Sequence, residues 1–310
     1  MRADNVLGLI GDTPLVGIHR LSPNPAVGIW AKLEGQNPTG SLKDRIARAM
    51  LEEAERSGVL GPDRILLEPT SGNTGISLAF LARQKGYRLM CVMPETASDE
   101  RRRLIEALGA EIHLTPAERG SNGAIEVAKK MADADERYLM LYQYGNEANP
   151  RAHYETTAPE ILRDLPEITH FVAGLGTGGT LTGVGRFFRE HRPEVKIVAA
   201  EPEQGDLVYG LRSLEEGFVP PVLDPTMIDV KIKVSSRDSV RWTRELLSQE
   251  GIFAGISCGG TVHVAHRIAS RISTGQIVCL FADGGWKYLS TEIWTKSLEA
   301  AAGDVEYMPW

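Results

Sequence analysis

Cysteine is scarce in this chain: Cys91, Cys258 and Cys279 are the only three among 310 residues. Each stands in an apolar or Gly-rich run without metal-ligand spacing, which argues against a disulfide framework and against a zinc cluster. They read as reduced core thiols of a cytoplasmic protein. The seven histidines show no H-E-x-x-H or comparable pattern, so no metal is expected. Positive charge is short as well, with 34 Lys and Arg against 41 Asp and Glu, a net charge of −7. Without a basic cluster, nucleic acid and anionic membrane surfaces are not expected partners. No apolar run approaches the roughly 18 residues of a membrane span. Residues 1–5 lead into only a short apolar run, 6–10, so no secretory leader is predicted.

What is present is an ordinary globular composition, 42% hydrophobic and 24% charged, at a length that suggests about two domains. Strand-like and helix-like segments alternate. Apolar runs at 65–68, 88–93, 111–114 and 138–144 are separated by helical patterns at 75–86, 98–108 and 121–134. A second set has strands at 170–175, 196–200 and 276–282, and helices at 179–191, 236–250 and 260–272. Helices between apolar strands predict an α/β protein with mostly parallel sheets covered on both faces. The segment 145–150, Gly-Asn-Glu-Ala-Asn-Pro, is the best candidate boundary.

Lys43 lies in the run Asn37-Pro38-Thr39-Gly40-Ser41-Leu42-Lys43-Asp44-Arg45. Pro38 and Gly40 break the preceding strand-like run, Ser41 is a good N-cap, and Ile46, Met50 and Ala54 follow at helical spacing. A cation in a first helical turn is opposed by the macrodipole, by roughly 0.3–1 kcal/mol. A lysine that must act as a neutral nucleophile gains from that place. The alternative is a solvated surface lysine.

Three Gly-rich segments carry further chemistry. Thr70-Ser71-Gly72-Asn73-Thr74-Gly75 joins a strand to a helix and offers hydroxyls, an amide and uncovered backbone N–H groups without a charged side chain, which suits a small carboxylate. A plain capped turn is the alternative. Gly174-Leu175-Gly176-Thr177-Gly178-Gly179-Thr180 is a phosphate cradle at a helix start. It also satisfies G-x-G-x-x-G, with Glu201 ending the next strand where a ribose-binding acid would stand, so an NAD-dependent oxidoreductase is a rival. Gly255-Ile256-Ser257-Cys258-Gly259 matches the nucleophile elbow, but no acid stands between Ser257 and the last histidine, His266, and a hydrolase is rejected.

Together, residues 38–45 with Lys43, the 70–75 loop, the 176–180 loop and Ser257 resemble the cysteine synthase family of fold-type-II pyridoxal-phosphate enzymes, close to tryptophan synthase β and cystathionine β-synthase. The resemblance runs from Gly11-Asp12-Thr13-Pro14-Leu15 to Tyr288-Leu289-Ser290-Thr291. It implies a tryptophan synthase β-like α/β fold of two domains. Residues 1–10 and 36–150 would form the smaller, with the substrate-carboxylate loop, and 11–35 and 151–310 the larger, with the phosphate loop. It implies pyridoxal 5′-phosphate as cofactor, carried covalently by Lys43. Gly176, Thr177, Gly178, Gly179 and Thr180 would hold its phosphate, Asn73 its ring hydroxyl oxygen, and Ser257 its pyridine nitrogen. Thr70, Ser71, Gly72, Thr74 and Gln143 would hold the substrate carboxylate.

The activity so implied is β-replacement on an O-activated L-serine by a sulfur donor to give L-cysteine, in a cytoplasmic homodimer. Residues 209–218 resemble the loop of the B-type enzymes more than that of the A-type, and residues 282–288 look more like the branch of that group that uses O-phosphoserine and a thiocarboxylated carrier protein. Arg212 would then meet the phosphate of O-phosphoserine, unless it pairs with Glu215 or Glu216. Other members of the family use O-acetylserine with sulfide or thiosulfate, make S-sulfocysteine, or have cystathionine β-synthase activity.

Overall fold

The computed structural model describes residues 2–307. The chain divides into two compact units, residues 2–10 with Lys43–Asn149, and Gly11–Leu42 with Pro150–Tyr307. The second cut falls at the end of the 145–150 segment. In chain order, β1 (Leu15–Gly17) and β2 (Val27–Leu33) precede α1 (Lys43–Arg56), β3 (Ile65–Pro69), α2 (Asn73–Lys85) and β4 (Arg88–Pro94). Next come α3 (Asp99–Ala107), β5 (Glu111–Thr115), α4 (Gly120–Ala134), β6 (Tyr138–Met140), α5 (Ala148–Ala152) and α6 (Ala158–Asp164). They are followed by β7 (His170–Gly174), α7 (Gly179–His191), β8 (Lys196–Pro202), β9 (Val230–Val234) and α8 (Ser236–Glu250). The last are α9 (Ile256–Ala269), β10 (Gly275–Phe281) and α10 (Leu298–Tyr307). No helix among the described residues is long and apolar enough to cross a membrane.

The first unit is built on a parallel four-stranded sheet in the order β5-β4-β3-β6. Every residue of β3 is buried, as an inner strand covered on both faces must be. Its core joins Leu67 and Val92 of the sheet to Ala124 and Ala128 of α4. On α1, Ile46, Met50 and Ala54 are all buried, so the helical spacing marks the inward face. The strand expected at 138–144 stops at Met140. Tyr142 takes φ = 57°, a left-handed conformation that ends strand pairing.

The second unit carries a six-stranded sheet in the order β1-β2-β10-β7-β8-β9, parallel except for the β1–β2 pair. Phe171, Ile197 and Val278 of the sheet pack with Leu181, Val184 and Phe188 of α7. Residues 36–42, expected with the smaller domain, belong here. Leu42 N–H donates to the Ala282 carbonyl at 2.9 Å, and Ser41 forms a β-bridge with Asp283. Ser41 is therefore not the residue next to α1, which begins two positions later.

The Gly11–Leu15 motif has a structural task in this unit. Gly11 and Asp12 take φ of 97° and 45°, a left-handed pair that needs holding from both sides. Asn37 Oδ1 accepts Gly11 N–H at 2.9 Å, and Glu160 Oε1 accepts Asp12 N–H at 3.0 Å. Thr13 Oγ1 donates to Glu34 Oε1 at 2.7 Å. Beneath them Lys32, fully buried, pairs with Glu160 Oε2 at 2.7 Å and donates to the Thr13 carbonyl at 2.6 Å. The charge is thus both neutralised and hydrogen-bonded, the condition for burying one.

Candidate active site

In the first unit, every segment of interest opens from a helix start or from the carboxyl end of a parallel strand, where ligands of open α/β sheets are bound. Lys43 is the first residue of α1 and half-buried. The next two residues, Asp44 and Arg45, are buried.

The 70–75 loop leaves the end of β3 and enters α2 at Asn73. Gly72 flanks the helix without a side-chain cap. Thr70 Oγ1 folds the loop by accepting the N–H groups of Gly72 at 3.4 Å and Gly75 at 3.3 Å. A Cβ at Gly72 would meet nothing within 4 Å, so the chain turns there beside open space. Ser71 and Asn73 are partly exposed, and Thr74 is buried with its hydroxyl donating to Gln143 Oε1 at 2.7 Å. The structure thus brings Thr70–Thr74 and Gln143 together. With Oε1 taken, Nε2 is the side of the Gln143 amide left to donate.

Glu68 supplies what the sequence reading missed here. It is fully buried in β3, and its Oε2 and Oε1 accept the N–H groups of Tyr142 at 2.7 Å and Gln143 at 3.0 Å. Burial pushes its carboxyl up to about 7, against the pull of the two backbone donors. The signal was present in the sequence: one acid inside the otherwise apolar run Ile65-Leu66-Leu67-Glu68-Pro69.

In the second unit, the Gly-rich loop leaves β7 and enters α7 at Gly179. Gly178 takes φ = 84°, and a Cβ on it would lie 2.7 Å from Leu223 Cβ. Thr177 Oγ1 accepts Gly179 N–H at 3.4 Å. Thr180 Oγ1 lies 3.2 Å from Nε2 of buried His153, whose Nδ1 lies 2.9 Å from Thr157 Oγ1. His153 was also missed, because it sits in a π-helical turn, His153–Thr157, that has no 3.6-residue signature.

Arg212 and Ser257 join the same loop. Arg212 N–H donates to the Leu175 carbonyl at 2.6 Å, and a Cβ on Gly176 would approach Gly210 O to 2.9 Å. A Cβ on Gly210 would in turn stand 3.7 Å from Ser257 Oγ. Ser257 is the second residue of α9, a helix that starts at Ile256, ahead of the expected 260. It is 5% exposed, and its hydroxyl makes no hydrogen bond among the described residues. The Arg212 guanidinium lies 4.9 Å from the centre of the Phe218 ring, while Glu215 pairs with Lys233 at 3.1 Å.

Glu201 does not stand ready for a ribose. It is 1% exposed, accepts Leu214 N–H at 2.9 Å and lies 3.3 Å from Lys233 Nζ. It is spent on anchoring the loop after β8, which removes the main support for the NAD reading. The three cysteines are free and buried. Burial raises all three thiols, Cys258 to about 12, so none is poised as a nucleophile.

In the second unit, a helix N-terminus with threonine hydroxyls and a buried serine hydroxyl with no partner among the described residues suit the phosphate and the ring nitrogen of a phosphorylated pyridine; the first unit, by itself, offers a lysine at a helix start. Residues 6–283 match the family model described as pyridoxal-phosphate dependent enzyme. The chain belongs to this family, in its cysteine synthase branch, and its cofactor is pyridoxal 5′-phosphate. It is 44% identical to cysteine synthase B of Escherichia coli strain K12, over 92% of this chain and 94% of that one. Against the probable cysteine synthase of Bacillus subtilis strain 168 the identity is 43%, over 94% and 97%. Among solved structures, O-ureido-L-serine synthase superposes with a TM-score of 0.90 at 39% identity, covering 97% of this chain and 99% of that one. A cysteine synthase from Entamoeba histolytica gives 0.91 at 31%, covering 98% and 96%.

Proposed function

We propose that this enzyme is a cysteine synthase that replaces the β-substituent of an O-activated L-serine with sulfur, and that O-phosphoserine is its preferred donor. The loop geometry of the 70–75 segment with Gln143 carries the first part: neutral donors converge without a competing cation, as an amino-acid carboxylate requires. The bound cofactor supplies an electron sink that acidifies the amino-acid Cα–H. As the family resemblance implies, Gly176, Thr177, Gly178, Gly179 and Thr180 would hold its phosphate, Asn73 its ring oxygen, and Ser257 its ring nitrogen. A serine hydroxyl donates a hydrogen bond there without giving up its proton, which favours expulsion of a leaving group from Cβ over transamination.

Lys43 would hold the cofactor at rest, and its freed amine would be the base that takes the Cα proton of the bound amino acid. Thr70, Ser71, Gly72 and Thr74, with Gln143, hold the carboxylate so that this proton faces the amine. The leaving group departs from Cβ and a sulfur nucleophile takes its position. Sulfide, thiosulfate and a thiocarboxylated carrier protein are the candidate donors of sulfur. The resemblance to the family supports a homodimer working in the cytoplasm.

Arg212 carries the preference for phosphate. Its backbone is tied to the Gly-rich loop, its guanidinium is braced by Phe218, and Glu215 is held by Lys233. An arginine fork offers a phosphate paired, charge-assisted donors. The test compares kcat/KM for O-phosphoserine and O-acetylserine in wild type and Arg212→Ala. The wild type is expected to prefer O-phosphoserine, and the variant to lose roughly 10–100-fold on that donor alone, from about 1.5–3 kcal/mol for a charged hydrogen bond. Equal loss on both donors, or a wild-type preference for O-acetylserine, contradicts the phosphoserine assignment and leaves an O-acetylserine-dependent B-type enzyme.

A further inference from the structure

We propose that Glu68 is a positioning residue for substrate binding: its carboxylate clamps the Tyr142–Gln143 backbone and thereby sets the Gln143 amide toward the substrate carboxylate. This deepens the function proposed above and rests on it for the identity of the ligand. Glu68 is the penultimate residue of β3, one before Pro69 and two before Thr70, so it belongs to the strand that launches the carboxylate loop. Its two oxygens take successive N–H groups, of Tyr142 and Gln143, at 2.7 and 3.0 Å. Two adjacent amides converge on one carboxylate because Tyr142 sits at φ = 57°, which a tyrosine adopts only when something holds it there.

The rest of the turn is held by neutral groups. Asn146 Nδ2 donates to the Leu141 carbonyl at 2.9 Å, Gly145 N–H to the Tyr142 carbonyl at 3.0 Å, and Asn149 Nδ2 to the Gln143 carbonyl at 2.8 Å. None of these reaches the two N–H groups that Glu68 accepts. Without the carboxylate the buried Gln143 donor and the half-buried Tyr142 donor lose their acceptor, and the turn must reopen to satisfy them. Gln143 then loses its 2.7 Å contact with Thr74 Oγ1, the contact that fixes which end of its amide is left to donate. A carboxylate is the fitting clamp, since its two oxygens accept and neither donates.

The experiment uses the holoenzyme of wild type, Glu68→Gln, Gln143→Ala and the double variant. Steady-state kcat and KM for the activated serine are measured alongside hydrogen exchange of the backbone amides at 141–145. In Glu68→Gln the new NH₂ group faces one of the two N–H donors. KM is expected to rise roughly ten-fold with kcat within about three-fold, and the Tyr142 and Gln143 amides to lose protection. Because Glu68 acts through Gln143, the double variant should be no worse in KM than Gln143→Ala alone. Additive KM effects, or an unchanged KM with the amides deprotected, overturn the proposal by showing that the clamp does not reach the substrate. Should Glu68→Gln fail to fold, Glu68→Asp, which keeps the charge but draws it back by one methylene, carries the same expectations. If the wild type turns over no activated serine, the proposed function fails, whereas retained protection in Glu68→Gln counts against the clamp independently.

Discussion

Replacing Lys43 by Ala is expected to leave the fold intact and to abolish turnover of activated serine, by roughly 10³-fold or more. Lys43 is half-buried at the first position of α1, while the packing face of that helix is made by Ile46, Met50 and Ala54. Removing the amine therefore touches chemistry and not the core. Borohydride reduction followed by peptide mapping should label the Lys43 peptide in wild type and no lysine in the variant. A variant that keeps wild-type turnover, or a label on another lysine, removes Lys43 from its assigned role.

The second large effect concerns stability. Glu160→Gln should destabilise the protein by about 3–5 kcal/mol, because it leaves the fully buried Lys32 ammonium without its counter-charge. It also weakens the acceptor for Asp12 N–H, which holds a left-handed residue in place. Pairing it with Lys32→Met, which removes the cation and keeps an apolar stem of similar length, should recover a large part of the loss. Denaturant midpoints of the two single variants and the double variant measure this. Equal midpoints for Glu160→Gln and wild type would show that the ion pair contributes nothing.

The loops and helix starts of the candidate site were legible in the sequence because their signals are local. A Gly-rich loop at the end of an apolar strand and before a helical pattern announces its own geometry, and the 70–75 and 174–180 loops both fell where such loops belong. Helices with one apolar face, such as α1, were equally plain. What failed was non-local. Ser41 reads as an N-cap from its neighbours alone, while its β-bridge to Asp283, far along the chain, has no local signal. The strand read through to Tyr144 gives way after Leu141 because Tyr142 turns left-handed and Glu68, 74 residues before it, takes the amides of Tyr142 and Gln143. Glu201 satisfied a ribose-binding spacing while Leu214 N–H and the Lys233 ammonium converge on its Oε1, and no spacing rule sees that. His153 is invisible for a different reason: a π turn breaks the period on which helical faces are read.

The most direct measurement is product formation by the wild-type holoenzyme given an O-activated L-serine and sulfide. L-Cysteine should appear in step with the released leaving group, one for one, with O-phosphoserine the faster donor. Release of pyruvate in place of L-cysteine, or no consumption of any activated serine while pyridoxal 5′-phosphate is bound, would contradict the assignment.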